Sequence, residues 1–268
     1  MLFRSNVNIG FKNFNLSANN VNRLKSLSEN LSKLLIKKKI KNTSNFFLFS
    51  EINTKKFSEL FKNMPEYNEN FVIFNRRQPS IWDKESFKIF KNSNAILENE
   101  KTLITSANKS PQKNIMHINS IISNLKLNEN IFNNIFIFNE IKFWSLFKDI
   151  FYKLIDDRFK KYSFDIILTK ILLKKYPFKG VLIQNEVGPN EKILIQLAKN
   201  EKIPIFLIQH GLIFDTHNAL SMNKYQGVMG YDSDYQFVWG NIDYNYKIQN
   251  GFEPEKIIKI GSPIFDNH

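Results

Sequence analysis

Apolar residues follow two rhythms along the chain. Over residues 18–40 they recur at helical spacing, at Val21, Leu24, Leu27, Leu31, Leu34 and Leu35, which predicts an amphipathic helix. Beyond that point, short continuous apolar runs alternate with helical stretches. Residues 46–49, 71–74 and 95–97 read as strands, being brief, aromatic or β-branched and bounded by polar positions. Residues 55–61, 82–90 and 115–125 read as helices, and 141–155 as a strongly amphipathic one with Phe143, Trp144 and Phe147 on its core face. Residues 164–173 extend that helical layer, and the Asn-rich stretch 124–134 is expected to be a long loop. From Gly180 the alternation is clearest. Strands at 180–184, 204–208, 237–240 and 256–260 are interleaved with helices at 191–199 and 244–249.

Strands that alternate with helices imply βαβ units and a parallel sheet with helices on both faces. The expected fold is therefore α/β, a doubly wound, Rossmann-like parallel sheet over residues 46–268, preceded by a helical segment over 1–45.

Composition narrows the chemistry. The 268 residues include no cysteine, so a disulfide framework, Cys-ligated zinc, an iron–sulfur cluster and a thiol nucleophile are all excluded. With 43% hydrophobic and 14% aromatic residues, the chain can bury a core and is not globally disordered. The formal charge of +13 is uneven. From Val181 onward 10 acidic residues face 7 lysines, net −3, which leaves +16 before it. Solvated helix faces account for such an excess, and so do an anionic membrane surface or an anionic substrate. Nucleic acid is not expected, because Arg interleaved with aromatics is missing. The first residues lack the apolar core of a signal peptide, and no apolar run approaches the ~20 residues that cross a bilayer. The expected location is the cytoplasm, with peripheral contact at the inner face of the cytoplasmic membrane in view.

Polar residues at the carboxyl ends of strands are where an open parallel sheet binds ligands. One such end is followed by Asn185 and Glu186, another by Gln209, His210 and Gly211. A carboxylate facing an imidazole across a cleft is suited to proton transfer. The plainer alternative is that Glu186 caps a turn and His210 is a loop residue with its needs met. Arg76 and Arg77 follow the strand at 71–74. Their guanidinium forks suit phosphate or carboxylate, or else one pairs with a structural acid while the other is exposed. No metal is expected: His210 and His217 lack a third ligand at diagnostic spacing, and Asp232-Ser233-Asp234 reads as a loop cap. Gly227, Gly230 and Gly240 form no phosphate-binding fingerprint.

The ordered series Gln209-His210-Gly211, Phe237-Val238-Trp239-Gly240, a short helix ending at Gly251, and Lys256-Ile257-Ile258-Lys259-Ile260-Gly261-Ser262-Pro263-Ile264-Phe265-Asp266 resembles the end of the first domain of GT-B-fold enzymes. Those of bacterial surface-polysaccharide synthesis are meant, the capsule-synthesis and CDP-glycerol glycerophosphotransferase-like families. The resemblance implies transfer of a sugar or glycerophosphate unit from a nucleotide-activated donor to a glycan or lipid-linked acceptor, without a cofactor. It implies that His210 acts as base or phosphate contact and that Glu186 orients it or binds acceptor hydroxyls. Asn185, Gln209 and Gly211 would line the cleft, Arg76 and Arg77 would meet anionic groups, and Ser262 and Asp266 would form its floor. In that fold the nucleotide is held largely by a C-terminal domain, so the end at His268 is expected to leave the donor-binding half outside this chain. Gly-Ser-Pro-x-x-Asp is also similar to an element of UDP-N-acetylglucosamine 2-epimerases. Those carry an acid shortly after the histidine, however, where this chain has Gly211-Leu212-Ile213. Epimerisation and non-catalytic binding stand as the alternatives.

Overall fold

A computed structural model describes residues 5–9, 12–16, 27, 40–41, 44–77, 79–81, 83–107, 112–216 and 219–263. The chain divides into two units, Met1–Thr102 with Tyr176–His268, and Leu103–Lys175. The first opens with an antiparallel hairpin of β1 (Ser5–Ile9) and β2 (Lys12–Leu16), in a region expected to be helical. Of the helix expected over 18–40, all but Leu27 and Ile40 lies outside the described residues.

Next come β3 (Phe46–Ser50), α1 (Ser58–Asn63), β4 (Asn70–Phe74), α2 (Lys84–Asn92), β5 (Ile96–Glu98) and α3 (Glu100–Ala107), within which the unit boundary falls. The second unit contains α4 (Gln112–Leu127), α5 (Asn130–Ile135), β6 (Ile137–Phe138), β7 (Ile141–Lys142) and α6 (Trp144–Lys175). The chain then re-enters the first unit through β8 (Phe178–Ile183), α7 (Pro189–Asn200), β9 (Ile205–Ile208), α8 (Ala219–Gln226), β10 (Tyr235–Val238), α9 (Asn241–Gln249) and β11 (Ile257–Lys259).

Seven strands form one sheet in the order β11-β10-β9-β8-β3-β4-β5, and every neighbouring pair is parallel. The chain starts at β3, winds outward to β5, returns to β8 on the other side of β3 and winds to the opposite edge. This is the doubly wound α/β arrangement expected from the sequence. Its inner strands are largely apolar because both faces are covered: Leu48, Val72, Ile73, Phe74, Val181, Ile183 and Ile205 are fully buried. Phe49, Phe57, Phe61, Phe90 and Ile208 gather in one core cluster with Ile73. Gly180 permits a close approach within the sheet. A Cβ there would stand 2.8 Å from the Phe206 ring, which stacks on Phe237 at 5.6 Å. Helix α2 begins at a capping box, in which the Asp83 side chain accepts from the Ser86 amide while Ser86 accepts from the Asp83 amide.

The second unit departs from expectation in three places. Residues 124–134 are mostly helical, carrying the end of α4 and all but the last residue of α5. Low Asn propensity is outweighed by packing: Phe132 stacks on Trp144 at 4.5 Å, Phe136 lies 5.2 Å from the same ring, and Trp144 Nε1 donates to Glu129 at 2.8 Å. Residues 141–142 belong to a hairpin, turned by Asn139 and Glu140 at φ 47° and 66°, the left-handed pair that tight hairpins require. Finally, one helix of 32 residues covers both stretches read as separate; no Gly or Pro interrupts it, and Pro177 follows its end. Trp144 is buried at the start of this helix, while Phe147 within it and Phe143 just before it are half-buried.

Candidate functional site

The switch point of the sheet lies between β3 and β8, where the chain reverses its winding direction. Ligands of open α/β sheets bind beyond the strand ends at this place. The backbone leaves β3 through Glu51, a non-glycine residue at φ 57° and a strained position of the kind that clusters at sites. The buried Glu51 carboxylate accepts from the backbone N–H groups of Arg76 and Arg77, the latter at 3.0 and 3.2 Å. Beside it, the Asn75 amide ties down both backbone groups of Ile52, at 2.9 and 2.8 Å. The ends of β3 and β4 are thereby clamped together.

The two arginines reach α7. Arg76 Nη2 donates to the Asn190 carbonyl at 2.9 Å, and its guanidinium lies 5.2 Å from the centre of the Phe74 ring. Arg77 pairs with the Glu191 carboxylate and holds Nε 3.9 Å from Glu51. Glu191 is buried in the first turn of α7. Burial pushes its carboxyl above the ordinary range, and Arg77 pulls it back. Beyond β8, Asn185 Oδ1 accepts from the N–H groups of Val187 at 2.7 Å and Gly188 at 3.2 Å, while its Nδ2 donates to the Gln226 carbonyl at 2.8 Å. The next residue, Gly227, sits at φ 70°, where a Cβ would press within 3.0 Å of the Glu186 amide nitrogen. A side chain there would be both strained and crowded.

Past β9, Gln209 is a buried clamp. Its Nε2 donates to the Gly211 carbonyl at 2.9 Å, and its Oε1 accepts from the Trp239 N–H at 2.9 Å. His210 then turns into a cleft of about 270 Å³ that it lines with Glu51, Arg77, Gln184 and Asn185. Its Nδ1 is buried and makes no hydrogen bond among the described residues; the same holds for Gln184 Nε2. Burial holds the imidazole below its ordinary pKa, the Gln184 backbone opposes this, and Lys56 and Arg77 add to the lowering. At neutral pH the ring is therefore predominantly uncharged, with an imidazole nitrogen able to accept a proton.

The structure thus brings Asn185, Arg77 and His210 to one cleft and adds Glu51 and Gln184, which sequence reasoning missed. The signal was present for both, since each follows or ends a strand at the switch point. Glu186, expected beside His210, is engaged elsewhere. It is buried, accepts from the Asp232 N–H at 3.2 Å and from the Ser233 hydroxyl, and does not line the cleft. Asp232 and Asp234 also act within that loop, on Lys192 and on the Ile205 N–H. Arg76 and Gln209 serve as clamps beside the cleft. Gly211 has open space where a Cβ would be, and the Ser262 hydroxyl is buried without a partner among the described residues. Asp266 and His217 lie outside the described residues. Among the described residues, no three His, Asp or Glu side chains gather as a metal site would need.

No protein-family model matches the chain, and no curated protein matches it. Among solved structures it is similar to UDP-GlcNAc 2-epimerase from Neisseria meningitidis bound to UDP-GlcNAc, with 15% identity, 84% of this chain and 48% of that one covered, and a TM-score of 0.42. The UDP-N-acetylglucosamine 2-epimerase from Rickettsia bellii gives 14%, 83%, 47% and 0.39. A further UDP-N-acetylglucosamine 2-epimerase gives 13%, 84%, 49% and 0.45. The chain spans about half the length of these structures.

Proposed function

We propose that the chain forms part of a transferase that moves a sugar or glycerophosphate unit from a nucleotide-activated donor to a glycan acceptor of the cell surface. In this reading the cleft at the switch point holds the acceptor hydroxyl. The observation that carries it is His210: a predominantly neutral imidazole that lines a cleft whose other groups suit hydroxyls, its buried Nδ1 without a hydrogen-bond partner among the described residues. Glu51 brings a carboxylate to the cleft, and Gln184 Nε2 is a donor without a partner among the described residues. Arg77 lies between two carboxylates, so the cleft has little surplus positive charge to hold phosphate. It suits a polyol better.

The chemistry follows from that placement. The acceptor O–H transfers its proton to the unprotonated His210 nitrogen as its oxygen forms a bond to the transferred carbon or phosphorus. The bond to the nucleotide breaks, and the bonding pair leaves with the nucleotide. A base positioned in this way contributes about 10²–10⁴ in rate.

The test supplies purified protein with a radiolabelled UDP-sugar or CDP-glycerol and a polysaccharide acceptor, and follows label into polymer. The expected outcome is incorporation that falls about 10²-fold or more in His210→Gln. Interconversion of UDP-N-acetylglucosamine with no acceptor present would replace the transferase reading by epimerisation. Donor or acceptor binding without turnover, unchanged in His210→Gln, would leave a non-catalytic binding domain.

A further inference from the structure

We propose that the second unit docks on an anionic lipid bilayer, with the β6–β7 turn and one exposed stripe of α6 entering the interface. The inference does not depend on the transferase reading.

Leu146, Ile150 and Leu154 are 83%, 66% and 52% exposed, and their spacing of four puts them in one row along α6. Phe138 at 72% and Ile141 at 67% stand at the two ends of the left-handed turn between β6 and β7. Ile135, at the end of α5, is exposed as well. Contiguous exposed residues of this size mark an interaction surface. Among the described residues, no helix is long and apolar enough to cross a membrane. A narrow stripe beside a hairpin tip suits burial in the headgroup–acyl boundary instead.

Charge selects the occupant. Residues 103–175 carry 12 Lys and Arg against 6 Asp and Glu. Lys142 and Lys153 sit within the apolar sequence itself, at the hairpin and between Ile150 and Leu154. A second copy placed on this face would set two units of like net charge against each other, whereas anionic headgroups complement them. Helix α6 also borders a cleft of about 690 Å³, where Lys126, Lys148, Lys153 and Lys160 outnumber Glu129, Asp149 and Asp156. Lys148 pairs with Glu129 at 3.2 Å and Lys160 with Asp156 at 2.6 Å. Lys126 stands over the Tyr152 ring at 5.2 Å, and neither it nor Lys153 is ion-paired among the described residues. Tyr152 lines this cleft too, its hydroxyl buried and without a hydrogen-bond partner among the described residues. A headgroup phosphate in this cleft would face Lys126 and Lys153.

Co-sedimentation of the full chain with vesicles tests the proposal, comparing phosphatidylcholine alone with a 70:30 mixture of phosphatidylcholine and phosphatidylglycerol. Binding is expected to the anionic vesicles, to weaken with added salt, and to fall about tenfold in Phe138→Ser and in Ile150→Ser, the effect of losing one inserted large side chain. Both positions are exposed, so unchanged circular dichroism is expected. Ile242→Ser, at an equally exposed residue of the first unit, should bind as the parent does. Absence of binding to anionic vesicles, or equal loss in Ile242→Ser, would overturn the proposal. A dimer in solution that Ile150→Ser dissociates would also overturn it, assigning the face to a second copy.

Discussion

Arg77 and Glu191 form an ion pair at the switch point although 114 residues separate them in the chain. One partner follows β4 and the other heads α7, so the pair ties the two windings of the sheet together beside the cleft. The partners are unequally exposed, Arg77 at 52% and Glu191 at 1%, and that asymmetry makes their roles separable by mutation.

Arg77→Met should destabilise more than Glu191→Gln. The first leaves a buried carboxylate without its ion-pair partner; the second leaves an arginine that still reaches water and Glu51. Breaking a fully buried pair costs about 3–5 kcal/mol. Solvent around Arg77 reduces this to about 2 kcal/mol, read as a lower urea midpoint at unchanged slope. The Glu191 carboxyl is pushed above its ordinary 4.5 by burial, so the folded chain keeps this proton longer than the unfolded one. Stability from this group is therefore lost as pH rises above 4.5, and Glu191→Gln should remove that part of the slope. Equal midpoints for the two variants would refute the assignment.

His210 has the opposite sign. Its imidazole is held below the ordinary 6.5 by burial, so on acidification the unfolded chain takes up this proton first. The contribution is fully present above pH 6.5 and declines as pH falls below it. Urea titrations across that range should show a steeper acid loss in the parent than in His210→Gln. In the transfer assay, the same protonation should give activity that rises with pH through a midpoint below 6.5.

Lys247 provides a third pH signature. It is buried, donates to the carbonyls of Val228 at 2.7 Å and Met229 at 2.9 Å, and burial brings it down to about 8, against a rise from Glu186. Between about pH 8 and the ordinary 10.5 the unfolded chain holds a proton that the folded one has released. Stability should thus climb over that interval by roughly 3 kcal/mol. Lys247→Met should flatten the climb, whatever its effect at pH 7; a parallel climb in the variant would show that the titrating group lies elsewhere.

The central sheet was legible because strands covered on both faces must be apolar at nearly every position, and 46–49, 71–74 and 205–208 are. Asn185 and His210 were legible because a polar residue just past such a run has to lie at the carboxyl edge. Glu186 was misplaced by the same reasoning. Neighbouring residues after a strand face different ways, and only the loop at 232–233 supplies the two donors that take up its carboxylate. The β6–β7 turn escaped notice because Asn139 and Glu140 adopt left-handed backbone without a glycine to announce it. The helices over 124–134 escaped because their support is the Trp144 ring, which meets Phe132 only once the β6–β7 hairpin has turned the chain back.

By itself, then, the sequence determined the alternation of strands and helices, the parallel α/β class, and which polar residues end the strands, since each depends on local spacing and burial. Tertiary structure alone decided which of those ends meet. Setting β8 beside β3 is a choice of neighbour between segments some 130 residues apart. No local pattern encodes it, yet it puts Glu51, Arg77, Gln184, Asn185 and His210 around one cleft.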